Sequence, residues 1–138
     1  MNQYGMMQNV SPSYMQQGGS MHMGQSQSMM MPHANLLQTV HHCAAICDHM
    51  ITHLLHHEDV SRRKHQLELL RDCADVCHLT SSFLARNSHI DRAMAQICAH
   101  ICETCGNECA KYHDQHSQHC ARICLQCAQE CRQFAMSA

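Results

Sequence analysis

Residues 98–131 read CAHICETCGNECAKYHDQHSQHCARICLQCAQEC. Within them the pattern Cys-x3-Cys-x2-Cys-x3-Cys occurs twice, at Cys98, Cys102, Cys105 and Cys109 and again at Cys120, Cys124, Cys127 and Cys131. Alternating steps of four and three residues keep all four thiols of each copy on one stripe of an α-helix. Half of the motif recurs upstream, at Cys43 and Cys47 and at Cys73 and Cys77. Four occurrences of one helical pattern decide the fold: four helices, each turning its cysteines toward a shared axis.

Outward from these motifs, residues 33–138 contain no proline and one glycine, Gly106. That favours long helices, since proline and glycine are the residues that interrupt them. Short polar stretches break the pattern at His56-His57-Glu58-Asp59, Arg86-Asn87-Ser88-His89 and Tyr112-His113-Asp114-Gln115. The segments between them are predicted helices over 34–57, 60–86, 89–112 and 116–136. Asp59 and Ser88 are suitable N-caps, and Asp91 three residues after Ser88 makes a variant of the capping box. Short connections between four helices predict an all-α, antiparallel up-down four-helix bundle. The first helix repeats Leu36, Val40, Cys43, Cys47, Met50 and Leu54, a seam of the a/d kind. Leu70, Cys73, Cys77 and Leu84 continue the seam in the second helix, and Phe134 ends it in the fourth. Every cysteine therefore stands where a bundle ordinarily carries Leu or Ile. Glycine inside a helix costs about 1 kcal/mol relative to alanine; a close helix approach or room for a cluster would account for Gly106, as would simple tolerance.

Composition shifts sharply near Pro32. Residues 1–32 lack Asp, Glu, Lys and Arg, and hold nine of the twelve methionines, four of the five glycines and both prolines. Such a segment has little to bury and is expected to be flexible. The chain thus divides into a Met/Gln/Ser/Gly-rich tail over 1–32 and a Cys-rich bundle over 33–138. Met21-His22-Met23 and Met29-Met30-Met31 place soft thioethers in the tail, although a tether or assembly segment is the plainer role.

Charged residues make up 14% of the chain and the net charge is −2. No basic stripe exists to release counterions from a phosphate backbone, which excludes nucleic acid as the main partner. With no Trp, three Tyr and two Phe, base-stacking platforms are also excluded. There is no run of 18 apolar residues, so no membrane-spanning helix is expected. The first basic residue is Arg62; without a charged leader region the expected compartment is the cytoplasm, where thiols stay reduced.

Several roles were open to twelve thiols on one seam. Disulfides between i and i+4 positions are disfavoured, because helical Cβ atoms about 5–6 Å apart exceed the reach of about 3.5–4.5 Å that the bond needs. A thiol-redox enzyme wants Cys-x2-Cys at a helix N-terminus, whereas Cys102–Cys105 and Cys124–Cys127 fall mid-helix. Zinc would fill about three four-thiolate sites, each leaving a net charge of about −2 in a buried core. Cu(I) is soft, prefers thiolate and can be bridged. Each thiol that loses a proton gains one Cu(I), so the core stays near neutral as it fills. Cysteine as a plain core hydrophobe is ordinary for one or two residues, not for all twelve. Residues 33–138 carry ten Leu, six Ile, three Val and two Phe, a thin core that bound metal would stabilise.

The four Cys-bearing helices resemble those of the bacterial copper storage proteins, over residues of about 33–138. The resemblance implies many Cu(I) ions inside each bundle, assembly as a homotetramer, and, for the branch without an export signal, a cytosolic location. Carried over by position, it implies metal ligation by Cys43, Cys47, Cys73, Cys77, Cys98, Cys102, Cys105, Cys109, Cys120, Cys124, Cys127 and Cys131. It does not extend to the Met-rich tail.

An up-down bundle gathers His53, His56, His57, His65, His113, His116 and His119 at one end. Cys109 and Cys120 lie about a turn inside. That end is the expected copper entrance, with Met50, His53, His57, His113, His116 and His119 as transient ligands. His41, His42, His78, His89 and His100 are expected on the surface. His49/His53 and His53/His57 have i, i+4 spacing, but no third ligand is evident in the sequence. There is no Glu-x-x-His pair, no His-Glu-x-x-His and no phosphate loop, so no catalysis is expected. The expected function is storage of multiple Cu(I) ions, with a copper chaperone as a candidate delivery partner. The alternatives are an assembly protein that cross-links subunits through thiols or metal, and a zinc buffer.

Overall fold

The computed structural model describes residues 31–137. The expected flexible tail lies outside the described residues except for Met31 and Pro32. Four helices follow: α1 (Ala34–Leu55), α2 (Lys64–Ala85), α3 (Asp91–Cys109) and α4 (Gln115–Met136), with a 3-10 turn (Val60–Arg62) before α2. No strand occurs among the described residues. α1 packs on α2 and α4, and α3 packs on α2 and α4, so the helices close a ring.

Contacts at the two ends give the topology. At one end His33, just before α1, meets Asn87 after α2, Asp91 at the start of α3 and Phe134 late in α4. At the other, His53 of α1 stacks on His116 of α4, and Gln66 of α2 reaches Cys109 of α3 and Ser117 of α4. The helices therefore run up, down, up, down. The first end is called the leucine end below and the second the histidine end.

The seam is buried as the spacing predicts. Leu36, Val40, Cys43, Cys47, Met50 and Leu54 of α1 face inward, as do Leu70, Cys73, Cys77 and Leu84 of α2. Phe134 is half-buried against the core rather than sealed within it. Beside the thiols stand Ala44, Ala74, Ala99, Ala121 and Ala128, all buried and each directly following a cysteine. These small side chains let neighbouring backbones approach. Gly106 serves the same purpose: a Cβ there would lie 2.8 Å from Leu125 Cγ and 3.2 Å from Cys124 Cβ. Close approach of α3 to α4 is thus the reason for a mid-helix glycine.

Several helix ends differ from the sequence expectation. α2 begins at Lys64 rather than 60, because Asp59 does not cap it. Its carboxylate instead pairs with Arg63, at 3.1 Å, and with the ring of His57. Ser88 does not cap α3 at 89; its Oγ accepts from Ile90 N at 3.3 Å and the helix starts at Asp91. The side-chain cap is Asp114, whose carboxylate accepts from Ser117 N at 2.9 Å and fixes the start of α4. α2 ends on Asn87 in the left-handed region, φ 51°. Ser88 N donates to Phe83 O and Asn87 N to Leu84 O, the bonding of a Schellman stop. At the leucine end Arg92 Nη1 donates to the carbonyls of Phe134 and Ser137 at 2.6 and 2.7 Å, which satisfies the last turn of α4.

Candidate metal centre

All twelve cysteines are free thiols with no exposed surface. Their sulfurs form a continuous series along the bundle axis. Within single helices, Cys98–Cys102, Cys120–Cys124 and Cys127–Cys131 stand at 3.8, 3.9 and 4.0 Å. Across helices the separations are equally short: Cys43–Cys124 3.8 Å, Cys47–Cys124 3.6 Å, Cys73–Cys102 3.7 Å and Cys77–Cys98 3.7 Å. Cys102 is the most connected, also lying 3.6 Å from Cys77 and 3.9 Å from Cys43. Three four-sulfur groups have all their sulfurs within 4.8 Å of one another: Cys43, Cys47, Cys73, Cys124; Cys43, Cys73, Cys77, Cys102; and Cys77, Cys98, Cys102, Cys127. The middle group shares two sulfurs with each of the others.

Such a channel resists multiple ionisation in the absence of metal. The neighbouring Cys127 and Cys98 sulfurs, together with burial, push the Cys131 thiol well up. Cys105, Cys120 and burial do the same to Cys109. The sulfur contacts that raise one partner lower another, as Cys102 does to Cys98, so the cluster titrates as a unit. A thiophilic cation that replaces the protons removes this constraint.

The histidine end is closed by a polar plug that the sequence reading did not find. Arg63, 5% exposed, donates from Nη1 to Gln66 Oε1 at 3.0 Å and to Ser117 Oγ at 3.3 Å. It pairs with Asp59 and Asp114, each at 3.1 Å, and lies 4.1 Å over the Tyr112 ring. Gln66 Nε2 donates to Ser117 Oγ at 3.0 Å and to Cys109 Sγ at 3.5 Å, so the plug touches the first thiol. Burial alone would raise the Asp59 and Asp114 carboxyls. For Asp59 the hydrogen bond and charge of Arg63 outweigh it; for Asp114 the hydrogen bonds from Ser117 and then Arg63 do so, and both sit below the usual carboxylate range. One signal was available: Gln66 lies four residues before Leu70, on the buried stripe.

The residues expected at the entrance separate into groups. His53 and His116 stack at 4.0 Å between ring centroids, and His57 lies 5.9 Å from His53. His113 and His119 are exposed, with His119 beside His116 in a surface cleft that Arg122 and Gln115 also line. Met50 is 1% exposed and belongs to the core rather than to the rim. His49, which the sequence left without a partner, lies 6.2 Å from His116 and 6.5 Å from His53. Partial burial, then the rings of His116 and His57, push the His53 imidazole below its ordinary pKa. His41, His42, His78, His89 and His100 are all exposed.

Comparison with known proteins agrees with this geometry. A family model described as copper storage protein matches residues 29–136. The Cu(I)-bound copper storage protein BsCsp3 superposes with a TM-score of 0.72 at 32% identity, covering 74% of this chain and 96% of that one. A cytosolic copper storage protein from Streptomyces lividans, captured with five coppers, gives a TM-score of 0.73 at 30% identity over 76% of this chain and 92% of its own. The uncharacterized cysteine-rich protein YhjQ of Bacillus subtilis is 36% identical over 76 residues, which is 55% of this chain and 70% of that protein. The match over the whole described bundle, on top of a buried channel of free thiols, places the chain in the copper storage protein family.

Proposed function

We propose that the chain stores multiple Cu(I) ions in the thiol channel and catalyses no reaction. The observation that carries this is the set of buried sulfurs standing 3.6–4.0 Å apart within and across helices, grouped in overlapping fours. Two metal–sulfur bonds of about 2.3 Å span such gaps with modest side-chain rotation. All twelve cysteines named above act as ligands, and bridging sulfurs raise capacity toward one Cu(I) per thiol. Each ion displaces one proton, so loading changes the core charge little. Entry is at the histidine end, where His53, His57 and His116 cluster outside the polar plug, His113 and His119 flank them, and Met50 receives the ion from inside.

Zinc is the second reading, favoured by one observation. The groups Cys43, Cys47, Cys73, Cys124 and Cys77, Cys98, Cys102, Cys127 share no sulfur, and each is compact enough for a tetrahedral ion. Two such sites would place about four negative charges in the dry core, which weighs against it.

The similarity to a relative described as cytosolic supports a cytoplasmic location. Exposed apolar residues on α2 and α3, Leu79 and Ile97, support self-association, and a homotetramer is the family expectation. Delivery by a copper chaperone fits a channel that closes against free solvent.

Anaerobic Cu(I) titration of the reduced chain against a competing chelator tests the reading. Uptake approaching about twelve equivalents, with about one proton released per ion in weak buffer, is expected. Saturation at about three equivalents or fewer would overturn it, and tight binding of about two Zn(II) that Cu(I) cannot displace would favour the second reading.

A further inference from the structure

We propose that His49, His53 and His116 form a tri-imidazole site for one borderline divalent cation on the outer α1–α4 face, separate from the thiol channel. The three rings make a triangle with centroid separations of 4.0, 6.2 and 6.5 Å. Three imidazoles bound tetrahedrally at about 2.0–2.1 Å hold their ring centroids about 5 Å apart, within the range these sides span. His53 and His116 are stacked at 22° between ring planes, so binding requires the rings to turn out of the stack toward His49, and the exposure of His49 and His116 leaves them free to do so.

Mutual proximity together with unoccupied nitrogens selects these three rings. His33, His57 and His78 each have a ring nitrogen paired with an aspartate. Among the described residues, His49, His53 and His116 stack only on other histidine rings, with no hydrogen bond or ion pair that occupies their nitrogens. His49 and His53 are one helical turn apart on α1, and His116 comes from α4, a helix that no connection joins directly to α1. The site draws its third ligand from across the bundle, which is the ligand set that a single helix cannot supply. Imidazole suits Zn(II), Ni(II) and Cu(II), and a water completes the fourth position. A cation held there cross-links α1 to α4 beside the plug and stabilises the closed ring of helices.

The proposal stands apart from Cu(I) storage, although His53 and His116 serve both. The test is a Zn(II) titration of the full, Cu(I)-filled chain against a zinc indicator under anaerobic conditions. One additional Zn(II) per chain is expected. His49→Gln should weaken it at least about tenfold while leaving Cu(I) capacity unchanged, and a His49→Gln/His116→Gln chain should lose it. A His41→Gln/His42→Gln chain should keep full affinity. No additional zinc, or zinc retained by the His49→Gln/His116→Gln chain, would overturn the proposal. If Cu(I) filling itself fails, Co(II) added to the reduced chain still decides: binding to histidine gives visible d–d bands that persist after the sulfur-to-cobalt charge-transfer bands saturate, and their absence overturns the site. Failure of storage and failure of this site are therefore read separately.

Discussion

At the leucine end the channel stops against Leu36, Val40, Leu84 and Ala95, and the polar groups buried beside them form no network: Thr80 Oγ1 has no hydrogen-bond partner and Ser81 Oγ donates to Cys77 O of its own helix. At the histidine end Leu54 and Leu70 are joined by Gln66, Ser117 and Arg63, which bond to one another and to Cys109. An ion crossing the first plug would meet mostly hydrocarbon, with the lone hydroxyl of Thr80 among it. At the second, Gln66 Oε1 and Ser117 Oγ offer oxygen, but both are held by the Arg63 guanidinium, which only donates. The comparison teaches that the bundle is capped at both ends, by mostly apolar side chains at one and by a bonded polar network at the other, and the histidines lie at the polar end.

The sharpest way to break this distinction is at the leucine end. Leu84→Ala should lower stability by about 2–5 kcal/mol, through lost burial and a residual cavity. The readout is the urea midpoint of the reduced, metal-free chain. Its Cu(I) uptake rate should stay within about twofold of the parent; a large acceleration would show that this end also admits copper. At the histidine end, Arg63→Met leaves Asp114, Gln66 and Ser117 without their shared donor and should cost about 2–4 kcal/mol. It should also accelerate Cu(I) uptake in stopped-flow mixing, and an unchanged rate would remove the plug from the route.

Between the ends, Gly106→Ala should destabilise by about 1–2 kcal/mol despite alanine's better helix propensity, because Leu125 and the Cys124 Cβ must give way. Gly106→Ala combined with Leu125→Ala should recover most of that loss in the same unfolding measurement. The smallest effect is the pH dependence. Asp59 and Asp114 have folded pKa values below their unfolded ones, so the unfolded chain binds protons first on acidification. Their contribution is complete above the ordinary carboxylate pKa of about 4 and is lost as pH falls through the lower folded values. An Arg63→Met chain should show a flatter stability profile across that acidic window than the parent does.

Much of the fold was legible because the cysteines mark the seam more sharply than leucines would. Cys43, Cys47, Cys73, Cys77 and the two longer runs all fall on one helical stripe, and the structure buries every one. The caps were less legible: Asp59 and Ser88 have the right chemistry, but Asp59 is drawn off by Arg63 four residues on, and Arg63 is itself held by Asp114 and Ser117 from the far side of the bundle. Gln66, Arg63 and Ser117 were missed for a related reason. Polar residues near helix ends read as solvated until their partners are known, and those partners come from other helices. The up-down topology already gathered His53 and His116 at one end; that His49 joins them was not legible, because neither α1 nor α4 alone sets the rotation of one about the other. Met50, which the sequence places on the seam one step from Cys47, is buried as that stripe requires.

Cys43 and Cys102 each belong to two of the compact sulfur groups. The middle group therefore cannot fill independently of its two neighbours, although those two share no sulfur with each other. An ion leaving one group is already within reach of the next, so it can migrate by ligand hand-over without ever being bare. Across these shared sulfurs, filling one group changes the ligands left to its neighbour, whereas Cys105, Cys109, Cys120 and Cys131 stand outside the three groups.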